Sequence, residues 1–187
     1  MSLTTLLVPT YIHMLETLSG LLTKAQKQLP QQADTLLSAR LTPDMFPLWS
    51  QVCFVCFQAQ EAVLRLKGQP IPETLQQMAT EGRTGDGKAA SIADAQAKID
   101  EALTFLRGLA PDELDQQTEQ AIALDMPSGI IFDMTGADFV RDWALPQFYF
   151  HIVTAYGILR NQKIEIGKAD FVPHMFGYLR PGTVPQS

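Results

Sequence analysis

Chemistry in this chain has few imidazoles to start from: 187 residues hold three histidines and two cysteines. His151 lies in the run Trp143 to Leu159, where the polar groups other than Tyr149 and Tyr156 are Gln147, His151 and Thr154. Steps of four and three set these three in one narrow sector of a helix, with both tyrosines near the opposite side. A helix apolar around most of its girth is buried. A buried hydrogen-bonding row costs free energy unless other helices, water, a ligand or a metal complete it. The row predicts a site between helices, centred on His151, whose imidazole is of the type that serves as a general base near neutral pH. Tyr11, His13, Gln51 and Gln58 are the polar groups on the first two helices able to complete it. The competing reading is a satisfied structural network.

Other motifs carry less. Gly82-Arg83-Thr84-Gly85-Asp86-Gly87-Lys88-Ala89 falls one residue short of a P-loop, because Ala89 stands where a hydroxyl must hold magnesium. Its preceding segment is polar and helical in pattern, so a flexible connector is expected. Cys53-Phe54-Val55-Cys56 has redox spacing but lies inside a helix among Val52 and Phe57, where buried, inert sulfurs are expected. His174 sits beside Pro173 in the tail as a surface or lining residue. Arg40 with Asp44, and Lys168 with Asp170, read as solvated pairs, the second docking the tail.

The elements that must position these groups follow from periodicity. Apolar residues from Leu3 to Ala25 at three- and four-residue steps predict a helix over about 5–28, with Pro9 tolerated only near its start. Thr42-Pro43-Asp44 reads as the opening of a second helix over about 43–67, stopped by Gly68. A short helical piece from Glu73 to Thr80 and the glycine-rich stretch lead to Ser91 and Asp94. These cap a third helix over about 91–109. Residues 119–135 read as strand, turn (Met126-Pro127-Ser128-Gly129) and strand, a small hairpin before the last helix at about 138–161, which Pro146 kinks or restarts. Residues 163–187, rich in Gly and Pro, wrap the surface. One all-α domain over 1–187, a four-helix bundle with an inserted β-hairpin, is the economical architecture.

Composition bounds the function. Twenty acidic against fourteen basic side chains give a net charge of −6, and no Lys/Arg cluster is present, which argues against nucleic acid and anionic membranes as partners. Without a membrane-length apolar run, a basic leader segment or a cysteine framework, a cytoplasmic protein is expected.

The segments Ala39 to Leu48 and Leu145 to Arg160, with Ile166 to Phe171, resemble an uncharacterised bacterial family, a domain of unknown function within the DinB/YfiT-like superfamily. That resemblance implies a DinB-like four-helix bundle with a long crossover between its middle helices, and a homodimer. It further implies a divalent metal, Zn or Ni, on one histidine of the second helix and two of the fourth, serving hydrolases and thiol-dependent transferases. His151 matches the last of these positions. Gln147 stands where another histidine is expected, and no histidine falls between Gln51 and Phe54, so the triad is incomplete. Two readings follow: an atypical or degenerate enzyme working at His151, or a non-catalytic bundle that binds a small molecule or scaffolds a dimer.

Overall fold

The computed structural model describes residues 2–126 and 128–183. Helix α1 (Leu3–Gln28) begins earlier than Pro9 suggests, because Ser2 caps the Thr5 amide and Asp115, far along the chain, accepts from Thr4. Helix α2 (Leu48–Leu66) begins later than expected. Pro47 forces extended backbone on the residue before it, so no helix passes through from Pro43. Thr42 bonds Asp44 locally, and Arg40 donates to the Met45 carbonyl rather than pairing with Asp44.

Gly68, at φ 62°, turns the chain into the crossover, where α3 (Glu73–Thr84) runs longer than its expected end at Thr80. Helix α4 (Ile92–Arg107) opens on the predicted Ser91/Asp94 capping box. Strands β1 (Ala121–Asp125) and β2 (Ile131–Thr135) pair antiparallel, Ala121 facing Thr135 and Asp125 facing Ile131. Pro127, assigned to the turn, lies outside the described residues. The last helix is interrupted: one turn, α5 (Gly136–Asp138), leads into a π-helical segment Phe139–Ala144 and then α6 (Leu145–Asn161). Pro146 has no amide for the α-helical ladder, and the Leu145 amide reaches back five residues to Val140. The expected kink is therefore a π bulge. The tail carries α7 (Lys168–Phe171) and a 3₁₀ turn at Pro173–Tyr178, docked on α1 through Lys24 with Asp170.

Long-range pairings set the directions. Thr4 meets Leu114 and Gln96 meets Ser19, so α1 and α4 are antiparallel. Tyr11 packs on Phe148 and Gln28 meets Glu165, so α1 and α6 run parallel. Gln51 meets His151, and Leu66 lies near Gly136, so α2 opposes α6. Trp49 lies under Lys98, and Lys67 pairs with Glu113, so α2 parallels α4. Two parallel neighbours cannot be joined by a short loop. That is the reason for the crossover, which α3 fills by packing on α2.

The glycine-rich segment is not a flexible connector. A methyl group at Gly82 would meet Phe54 Cε1 at 2.8 Å, and one at Gly85 would meet Trp49 at 3.0 Å. At Gly87, φ 75°, it would run into the Leu37 carbonyl. These glycines seat the crossover tightly on α2 and the 3₁₀ turn Ala33–Ser38. Among the described residues no helix is long and apolar enough to cross a membrane.

Candidate functional site

The fourth-helix row divides in three. Thr154 is buried, and its hydroxyl donates to the Phe150 carbonyl of its own helix at 2.6 Å, so its proton is satisfied within the helix, and it is not among the residues lining the groove beside His151. Gln147 is half-buried one turn before His151. His151 faces the seam with α2, where its Nδ1 lies 2.8 Å from Gln51 Oε1. The Gln51 amide nitrogen donates to the Phe46 carbonyl at 3.1 Å, which leaves its oxygen as the acceptor. Nδ1 therefore carries the proton and Nε2 keeps its lone pair. The ring sits between Phe54, 4.9 Å away by centroids, and Phe150, at 5.2 Å. Burial pushes its pKa down to about 4, so the imidazole is neutral at pH 7.

The space beside His151 is a surface groove of about 470 Å³, not a chamber inside the bundle. The bundle interior is closed by Tyr11 and Phe148, whose centroids stand 4.4 Å apart. One wall of the groove is α2 with Phe57, Gln58, Glu61 and Arg65, extended by Arg83 of α3. The hairpin contributes Leu124 and Asp125, and the π segment contributes Trp143. Arg65 Nε is held by Glu61 at 2.7 Å.

Two other expected partners lie elsewhere. Tyr11 is fully buried with an unpartnered hydroxyl, and burial drives its pKa far up, so it is a core residue that neither donates to His151 nor titrates. His13 faces the tail and stacks on His174, rings 4.8 Å apart and 3° from parallel. Cys53 and Cys56 are buried free thiols, Cys53 pushed up to about 12 by desolvation, as inert sulfurs should be. Sequence reasoning missed Arg83, Asp125 and Trp143 as groove residues, because only the crossover, the hairpin and the π segment bring them to α2.

A larger space, about 630 Å³, opens between Trp49, Lys98 and the glycine-rich segment. Most of its charges are matched internally: Lys98 pairs with Glu81 at 2.8 Å over the Trp49 ring, Asp86 with Lys88, and Asp94 caps α4. The His151 groove sets an imidazole and Arg83, a guanidinium without an ion-pair partner among the described residues, beside Phe54, Phe57 and Trp143.

The metal implied by the resemblance does not fit this donor set. Gln51 and Gln147 are carboxamides, poor ligands for Zn or Ni, and the Gln51 oxygen is already spent on Nδ1. Among the described residues no three His, Cys, Asp or Glu side chains come together.

Against known proteins, the family described as Domain of unknown function (DUF1993) matches residues 3–172. A crystal structure of a DinB family member protein from Shewanella denitrificans is similar at a TM-score of 0.73 and 30% identity. That match covers 98% of this chain and 96% of that one. No curated protein matches.

Proposed function

Because this chain belongs to the DUF1993 family, with the DinB-like fold, we propose that it is a degenerate member of that superfamily which binds a small molecule without metal in the His151 groove. The observation that carries this reading is the Gln51–His151 bond, which fixes one tautomer and leaves the Nε2 lone pair free on a residue that lines a groove of aromatic and charged side chains. A base with a pKa near 4 is poorly matched to proton abstraction at pH 7, so hydrogen-bond acceptance suits His151 better than general-base catalysis. The two free buried cysteines suit a reducing, cytoplasmic location.

A fragment library read by thermal shift tests this. A compound present at a hundred times its Kd stabilises by about 2.7 kcal/mol, several degrees in a chain of this size. Fragments that raise Tm in the native protein are expected to lose the effect in His151→Phe, and zinc or nickel is expected to leave Tm unchanged. A zinc-induced rise abolished by His151→Phe would reject the metal-free reading, and a library without a single hit would reject the ligand.

A homodimer has a specific observation behind it too. Phe150 is 59% exposed and Val153 53% exposed on one face of α6, next to Tyr149, an apolar patch suited to a two-fold contact. Sedimentation at micromolar concentration is expected to give a dimer, and Val153→Glu a monomer. A native monomer would remove this reading.

A further inference from the structure

We propose that the groove takes a small carboxylic acid with one aromatic ring and a hydroxyl at its far end, the carboxylate on Arg83 and the hydroxyl on His151 Nε2. This rests on the groove reading above and names its ligand class. Three independent features meet here. Arg83 pairs with no carboxylate among the described residues, whereas Arg65 beside it is held by Glu61. The α2–α3 wall therefore carries two guanidiniums against one carboxylate, and a planar guanidinium suits a bidentate carboxylate. At the other end Nε2 accepts, because Nδ1 is committed to Gln51, so the ligand must bring a donor. Phe54 lines the same groove: its ring lies 4.9 Å from the His151 ring and against Gly82, the residue before Arg83. Phe57 and Trp143 line the same groove and supply apolar flanks for an aromatic ring held between the two polar ends. Asp125 stands on the opposite wall beside the hairpin turn, where it would favour an amine instead; the experiment separates the two.

Titration calorimetry of the full chain with 4-hydroxyphenylacetate, 4-ethylphenol and tyramine tests the assignment. The acid is expected to bind at least tenfold tighter than the other two. Arg83→Gln, an exposed and conservative change, is expected to erase that margin without weakening 4-ethylphenol. The chain has two tryptophans, so ligand-induced fluorescence change should vanish in Trp143→Phe and persist in Trp49→Phe. Tyramine or 4-ethylphenol binding as tightly as the acid overturns the carboxylate assignment while leaving a ligand in the groove. A signal that follows Trp49 overturns the location, and no binding by any of the three overturns this inference whatever the fragment library returns.

Discussion

Urea unfolding of the native protein at pH 4.5 is expected to give a stability roughly 2–3 kcal/mol lower than at pH 7 through His151 alone. The sign follows from the depressed pKa. The unfolded chain takes a proton on this imidazole near pH 6.5, whereas the folded chain resists until about 4. Between those values the unfolded state binds more protons, so stability is complete above pH 6.5 and falls as pH drops toward 4. Carboxyls held low by their hydrogen bonds, such as Asp115 on Ser2 and Thr4 and Asp94 on Ser91, lose their contribution only below about pH 4. His151→Phe is therefore expected to flatten the profile between pH 6.5 and 4.5. A slope that survives the substitution assigns the proton to another group and returns His151 to a solvated role.

The second large effect concerns Gly87. Gly87→Ala is expected to cost about 3 kcal/mol or more, a drop in Tm of roughly 10 °C. Two costs combine: a side chain at positive φ, about 1–2 kcal/mol, and a methyl group driven into the Leu37 carbonyl, which is backbone and cannot rotate away. Gly129→Ala is the control. Gly129 has φ 83° but open space around it, so only the first cost applies. Equal Tm values for the two variants would mean that the crossover is not seated on the 3₁₀ turn. Neither variant should alter affinity for any nucleotide.

The architecture was largely legible because apolar residues at helical steps do not depend on what covers them. The Ser91/Asp94 box and the strand pair around residue 127 are local, and local signals held. Pro47 shows the limit: Thr42-Pro43-Asp44 has every mark of a helix opening, and one residue four positions later cancels it by sterics. The site was half legible. Angular position on α6 identified His151, and Gln51 was among the residues nominated to meet it. The same reasoning included Thr154, whose hydroxyl is satisfied within its own helix, and His13, whose ring faces the tail. Periodicity gives an angle on one helix, while a site needs to know which neighbour lies at that angle. Arg83 and Trp143 reach the groove only through the crossover and the π bulge; the helical piece after Pro72 and Pro146 mark both in the sequence, without telling which side chains they deliver to α2. The glycines of residues 82–87 likewise have a type but no visible reason until Phe54, Trp49 and Leu37 occupy the space their missing side chains leave.

The helix order also bears on how the molecule is made. Helices α1 and α2 are consecutive in the chain, yet they barely touch: α1 packs on α4 and α6, and α2 on α3, α4 and α6. Only α2 and α3 can pair before α4 is made, so a nascent chain ending near Lys88 holds the apolar stripe of α1, and the rest of the α2 surface, without partners. The remaining seams of α1 and α2 close only when α4 and then α6 are present, and such long-range pairing slows folding. Placing sequence neighbours on opposite corners of a bundle thus leaves apolar surface uncovered while the chain grows, the kind of surface that chaperones protect.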